Sequence, residues 1–420
     1  MKILVITYYW PPSGGAGVQR WLKFVKYLAD FGIQPIVLTV DPNYAEYPVL
    51  DPSLETDVSP DLLVYRTRCK GVYDLYKKVT GSKTAPYSGF ANESEPGFMQ
   101  KISRFVRGNF FLPDARRGWI KYAFAKACKI IEEHEINAVI TTGPPHSTHL
   151  TGLKIKKKYG IKWIVDFRDP WTTIFYNDAL FQTRMAIYAN QRMEQSVIDA
   201  CDRLLLVSVD REKIYADVNK TTFLPNGYDD LDFANQDLKL SEIFTVCYTG
   251  TIAASYPTEA LAAAFEALHD IIAYKLIFVG KVADTIKNDI NNKLKSAAKF
   301  LGYMPHKETV NYMSSSHLLL LIIPQTESNK FIIPGKLFEY LATGRQVLVI
   351  GPLDSAVAQI VAQSNAGATF DYNDTEGMKN YILQTYHNYT GNCPPVTNRE
   401  YIEQFSRKRL TRRLSEIIMQ

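Results

Sequence analysis

At 420 residues, 46% hydrophobic and 22% charged, the chain falls outside the disordered and fibrous classes and is long enough for two domains of about 200 residues each. Five cysteines (Cys69, Cys128, Cys201, Cys247 and Cys393) are scattered, with no C-x-x-C pair, which argues against a disulfide framework or zinc site and for a reducing cytosol. The net charge of +5 is mild, no apolar run approaches the ~18 residues of a spanning helix, and the N-terminus opens into a strand too soon for a signal peptide.

Ile3-Leu4-Val5-Ile6 reads as a buried parallel strand, 18–31 as an amphipathic helix closed by Gly32, and 35–40 as the next strand, a βαβ unit. A helix near 120–133, a strand at 138–142, a helix at 149–159 and a strand at 162–165 continue the alternation. A helix over about 185–200 and a strand at 204–208 follow. The turn cluster Leu224-Pro225-Asn226-Gly227 then ends a first domain, 1–226. The pattern restarts with a strand at 244–248, a helix at 258–269, a strand at 274–279, helices at 287–298 and 309–315, and a strand at 318–323. A helix at Lys336 and a strand at Val347 complete a second domain, 227–399. One terminal helix, 398–419, carries Arg407, Lys408, Arg409, Arg412 and Arg413. Two successive βα arrays predict an α/β fold of two doubly wound, Rossmann-like domains with ligands at the carboxyl ends of the strands.

Residues 8–17 join the first strand to the first helix and contain Gly14, Gly15 and Gly17. Glycines let backbone N–H groups approach an anion closely, and the following helix dipole adds to that. The spacing is G-G-x-G, with Arg20 where a third glycine would pack on the strand, so it departs from the dinucleotide-binding G-x-G-x-x-G. Gly143-Pro144-Pro145-His146-Ser147 puts His146 at a strand carboxyl end, either to bind a phosphate or acceptor hydroxyl or as a hydrogen-bonded structural residue. Asp166-Phe167-Arg168-Asp169-Pro170 occupies the same edge, as a ligand-facing loop or as a buried Asp–Arg pair. In the second domain, Pro334 and Gly344 bracket a short helix. Its spacing puts Leu337, Phe338 and Leu341 on one face and Lys336, Glu339, Tyr340 and Thr343 on the other. Beside a helix N-terminus this set suits a nucleoside diphosphate, with Lys336 on phosphate and Glu339 on ribose hydroxyls. The alternative is a solvated i,i+3 ion pair.

Residues 334–350 resemble the carboxylate-bearing helix of family 4 glycosyltransferases, which have the two-domain GT-B fold. Residues 8–19, 166–171 and 224–229 match the same family in the same order. The resemblance runs from Met1 to about Leu353 and is to bacterial enzymes that build surface polysaccharides. It implies two domains facing across a cleft, with the last helix (about 400–420) packing back on the first. It also implies that Gly15 and Gly17 lie over the diphosphate and acceptor. Asp169 would orient the acceptor hydroxyl, and Arg168, where many members have histidine, would face the reacting sugar or phosphate. Gly250 and Thr251 become a phosphate contact, and Tyr303 and Met304 a nucleobase contact. The sequence departs from the family twice. An Arg and a Lys that commonly follow the phosphate-contact glycine are replaced by Ile252-Ala253-Ala254-Ser255-Tyr256, leaving Lys336 as the main charge. The first of two paired glutamates, eight positions before Glu339, is Phe331, with Glu327 nearby as a substitute.

The enzyme this implies moves a sugar, with retention, from a UDP- or GDP-sugar to a glycan or lipid-linked acceptor. Lys336, Asp169, Arg168 and His146 are its expected catalytic residues, with no further cofactor and no metal. Asp230-Leu231-Asp232 spells a D-x-D pattern, but in the connector between the domains. Residues 66–129 hold fourteen Lys/Arg against four Asp/Glu, interleaved with aromatic side chains. That suits an anionic membrane surface or single-stranded nucleic acid. Beside sugar-nucleotide motifs it points to a cytoplasmic protein peripherally associated with the inner face of the membrane, with no nucleic acid. Same-fold alternatives are a sugar-nucleotide 2-epimerase and a non-catalytic partner subunit.

Overall fold

The computed structural model describes residues 1–69, 98–208, 220–234, 239–326 and 329–420. These form two compact units, Met1–Pro225 with Leu410–Gln420, and Asn226–Arg409.

The first unit runs β1 (Lys2–Ile6), α1 (Ala16–Leu28), β2 (Gln34–Val40), β3 (Val64–Thr67), α2 (Phe98–Phe110), α3 (Ile120–His134), β4 (Ala138–Gly143) and α4 (Ser147–Tyr159). It continues with β5 (Lys162–Phe167), α5 (Arg184–Ala200), β6 (Arg203–Leu206) and β7 (Thr221–Phe223). All these strands are parallel, in the order β3-β2-β1-β4-β5-β6-β7. Alternate residues of a strand point to opposite faces, so β1 supplies two cores. Leu4 and Ile6 pack with Ile130 of α3, Ile155 of α4 and Val197 of α5. Ile3 and Val5 pack with Val18, Leu22 and Val25 of α1. The run Ile3-Leu4-Val5-Ile6 lacks polar alternation because both faces are covered.

The second core also receives Leu410, Leu414, Ile417 and Ile418 of the terminal helix. Lys162 fixes that helix by donating to the carbonyls of Ile417 (3.0 Å) and Ile418 (2.8 Å), acceptors that the helix itself leaves unsatisfied.

The second unit has α6 (Asp230–Phe233), β8 (Phe244–Thr249), α7 (Glu259–Glu266), β9 (Tyr274–Val279), α8 (Asp284–Leu294), β10 (Ala298–Gly302) and α9 (His306–Ser315). Then come β11 (Leu318–Ile322), α10 (Lys336–Thr343), β12 (Gln346–Ile350), α11 (Ala356–Gln363), β13 (Gly367–Phe370), α12 (Thr375–Thr390) and α13 (Arg399–Glu403), after which the terminal helix α14 (Arg407–Met419) passes from Leu410 onward into the first unit. Its parallel sheet has the order β10-β9-β8-β11-β12-β13, so the strand order reverses beside β8 as it does beside β1 in the first unit. In open sheets of this kind the carboxyl ends of the strands at that reversal are the expected ligand site.

Two expected helices differ from what forms. The helix expected over 287–298 ends at Leu294, where Lys295 takes φ 49°, and Ala298–Gly302 becomes edge strand β10. There Phe300 stacks on Phe278 with ring centroids 4.8 Å apart. The single terminal helix expected over 398–419 is two helices. Between them Tyr228 N–H donates to Phe405 O (3.1 Å) and Arg407 N–H to Tyr228 O (2.7 Å), so residues 405–407 spend their backbone groups on a bridge rather than a helix.

Candidate active site

The best-defined site of the second unit lies at the carboxyl ends of β8, β9 and β10. Gly250 and Gly280 follow β8 and β9 with φ 112° and 124°, a region closed to most side chains. Gly250 N–H donates to Val279 O (2.7 Å) and Gly280 N–H to Gly302 O (2.6 Å). A Cβ on Gly280 would stand 2.1 Å from Gly250 O, so the loops fit together only as bare backbone.

Helix α10 begins at Lys336 beside this floor. Gly344 closes the helix at φ 69°, donating its N–H to Leu341 O. Lys336 Nζ donates to Tyr248 Oη (2.8 Å) and Thr249 O (2.5 Å), and a Cβ on Gly250 would meet it at 2.8 Å. Burial pulls the Lys336 ammonium down to about 7, against the opposing pull of Glu339. Tyr248 in turn donates to Thr251 O (2.9 Å), which ties Thr251 to the same cluster. One turn along α10, Glu339 Oε1 lies 2.9 Å from His306 Nε2, and Asp232 Oδ2 lies 4.0 Å from His306 Nδ1. Tyr303, 47% exposed, follows Gly302, and Met304 packs on the core beneath.

Tyr340 is not on the polar face where the helical spacing put it. It is fully buried, and its hydroxyl accepts from Thr249 N–H (2.9 Å) and donates to Leu320 O (3.2 Å). Covered on more than one side, α10 leaves only Lys336, Glu339 and Thr343 less than fully buried. Asp232, which the sequence places in a connector, also lies beside this cluster, whereas Asp230 accepts from Ser406 Oγ (2.5 Å).

In the first unit, Arg168 is the centre of the loops at the carboxyl ends of β4 and β5. Its guanidinium donates to Gly143 O (3.1 Å) and Pro144 O, and a Cβ on Gly17 would fall 2.1 Å from Nη1. Gly17 thus makes room for Arg168, while the Cβ position of Gly15 (φ 99°) faces open space at the start of α1. Burial holds the Arg168 guanidinium below its ordinary value, partly offset by Asp166 and by half-buried Asp169. The buried Asp–Arg pair does form, but with a different arginine. Arg20 Nη2 lies 2.8 Å from Asp166 Oδ1, both fully buried, and the same guanidinium donates to Leu224 O and Pro225 O. The position that would be a third glycine in a dinucleotide loop therefore clamps the end of this unit.

His146 is buried and stacked on Trp171, with centroids 5.0 Å apart. Behind it His149 Nδ1 lies 2.9 Å from Thr141 Oγ1, which already accepts from Trp163 Nε1 (2.9 Å). Thr141 Oγ1 thus links the indole of Trp163 to the ring of His149. Burial, with His146 and Arg168 nearby, holds His149 well below its ordinary value, so it is neutral. The start of α4 is occupied by Asp114, which accepts from Ser147 N–H (2.7 Å) and Oγ (2.9 Å).

Residues 243–388 match the family model of glycosyl transferases group 1. Three similar solved structures extend the likeness to both units. Sucrose-phosphate synthase from Thermosynechococcus elongatus is 15% identical, with 100% of this chain and 98% of that one covered at a TM-score of 0.65. Anabaena HepE in complex with UDP and glucose is 12% identical over 100% and 99%, at 0.63. WaaG, a glycosyltransferase involved in lipopolysaccharide biosynthesis, is 13% identical over 99% and 99%, at 0.55. No curated protein matches the chain. The fold is GT-B, and the family matched by residues 243–388 is one of glycosyl transferases.

Within the matched residues the structure brings Lys336, Gly250, Thr251 and Glu339 together, and sets Tyr303 beyond Gly302 at the end of β10. In the first unit it joins Gly17, Arg168 and Asp169 at one edge and sets His146 against Trp171. Sequence reasoning missed His306, Gly280 and His149. His306 had a readable signal, a titratable side chain following the turn after Gly302. Glu327 lies outside the described residues, and Phe331 falls in a short 3-10 turn.

Proposed function

We propose that the chain transfers a sugar, with retention, from a UDP- or GDP-sugar to an acceptor hydroxyl on a surface glycan or its lipid carrier. The observation that carries this reading is the cluster at the strand ends of the second unit. The Lys336 ammonium, set against Gly250 at the end of β8, and the Glu339 carboxylate one turn along α10 offer a cation for a diphosphate beside an acceptor for ribose. HepE has been solved with UDP and with UDP-glucose, which supports a nucleotide-sugar donor here. Negative charge grows on the departing phosphate, so Lys336 stabilises the transition state more than the ground state. Such a donor set needs neither a second flanking carboxylate nor a metal. Asp230 and Asp232 are engaged with Ser406 and His306, and among the described residues no three His, Cys, Asp or Glu side chains are grouped to hold a metal ion. In the first unit, Arg168, Asp169 and His146 serve the acceptor side.

The membrane reading moves with the structure. Arg104 is buried and Arg116 pairs with Glu46, so these two do not face a bilayer. A better surface joins α2 to the segment before α5, where Asn109 donates to Phe181 O (3.1 Å) and accepts from Thr183 N–H (2.7 Å). It exposes Phe110 (67%), Phe181 and Met185 (83%), with Lys101, Arg184 and Arg192 also exposed on these elements. Among the described residues no helix is long and apolar enough to cross a membrane. Aromatic and basic side chains together suit an anionic headgroup layer.

Phe331 in place of a glutamate favours one second reading, a non-catalytic partner subunit. Product analysis with a panel of nucleotide sugars and membrane-extracted acceptors tests both. The expected result is nucleoside diphosphate release coupled to a retained glycosidic product, undiminished by excess chelator. Epimerised donor without acceptor, no turnover, or loss restored by Mg²⁺ contradicts the reading.

A further inference from the structure

The His306–Glu339 contact has no part in the roles given so far. His306 opens α9, Glu339 lies in the first turn of α10 and Asp232 in α6, and the three helices pack against one another. Nε2 of His306 stands 2.9 Å from Oε1 of Glu339. A carboxylate only accepts, so Nε2 carries the proton. Lys336, three residues earlier on the same helix, is turned to Tyr248 and Thr249, so its hydrogen bonds do not orient the carboxylate. Both side chains of the pair are shielded but not sealed, His306 at 13% and Glu339 at 18% exposed. One Glu339 oxygen is thus held from inside the protein while the residue still reaches solvent.

We propose that His306 is a positioning residue that holds one oxygen of Glu339 and so presents the other to the ribose hydroxyls of a nucleoside diphosphate. A glutamate has several rotatable bonds, and ordering it before the ligand arrives removes a cost that binding otherwise carries. The inference rests on the reading of Glu339 as the ribose contact and adds the group that fixes it. It predicts that His306 matters only for ligands that have ribose hydroxyls.

The test is calorimetric titration with UDP and with 2′,3′-dideoxy-UDP, and with the GDP pair in parallel. The wild type should prefer the ribonucleotide, and Glu339→Ala should abolish the preference. His306→Ala should reduce it at least threefold, through weaker ribonucleotide binding with dideoxynucleotide binding unchanged. His306→Gln, whose amide N–H can still donate to Glu339, should restore most of it. A wild-type ratio in His306→Ala, or equal losses for both ligands, overturns the inference while leaving Glu339 as the ribose contact. A wild-type ratio in Glu339→Ala, or a wild type that binds neither ribonucleotide, overturns the underlying reading and this inference with it.

Discussion

Lys336 carries a charge that depends on what it faces. Without an anion it rests on a tyrosine hydroxyl and a carbonyl, and burial brings its pKa to about 7. A bound diphosphate favours the protonated form, so binding above pH 7 must draw in a proton. UDP affinity should weaken as pH rises from about 7, by up to about tenfold per unit, and level off below it. Titrations in buffers of different ionisation enthalpy should show the uptake, and Lys336→Ala should remove both effects. The same shift makes this group's contribution to stability rise with pH between about 7 and its unfolded value near 10.4, because the unfolded chain there binds the extra proton.

Asp166 behaves oppositely. Burial alone would raise its carboxyl, but Arg20, with Trp21 and Thr142 also donating, holds it below the ordinary value. Asp166→Ala should cost about 3–5 kcal/mol in denaturant unfolding, since it leaves Arg20 buried without its partner. At this scale the sequence showed what a local spacing carries. Lys336 and Glu339 are three apart on one helix, whereas Glu339 and His306 are 33 apart, and nothing in either neighbourhood announces the other.

Elements were legible where both faces of a strand or one face of a helix set the pattern. β1 and β11 are nearly continuous apolar runs, β4 and β8 are apolar and β-branched ones, and all four form where expected. β10 was missed because a five-residue edge strand, none of it fully buried, carries too little apolar pattern to announce itself. The basic run at 66–129 shows the limit of composition. Charge counts do not say which guanidinium points inward, and residues 70–97 lie outside the described part. The face built from α2 and the start of α5 sets the expected outcome for membranes. Reversing Lys101, Arg184 and Arg192 together should reduce binding to anionic liposomes, and added salt should weaken the wild type in the same way. Replacing Phe110 and Met185 by serine should weaken binding with little effect on that salt dependence. Sedimentation with neutral and anionic vesicles checks this, and salt-insensitive binding to neutral vesicles would contradict it.

At the scale of the whole molecule, two successive βα arrays and the turn at 224–227 were enough for two doubly wound units. The same arrays place the candidate site at the carboxyl ends of the strands in each. What they could not show is which strand ends do the chemistry, because that rests on contacts such as Gly250 with Gly280 and Gly17 with Arg168. The central claim is that the second unit holds a nucleoside diphosphate through Lys336. It is tested most directly by titrating the wild type and Lys336→Ala with UDP and with uridine, and with GDP and guanosine. The account predicts that Lys336→Ala weakens binding of the preferred diphosphate tenfold or more, about 1.4 kcal/mol or above, while binding of its nucleoside changes less than twofold. Equal small losses for both ligands would contradict it.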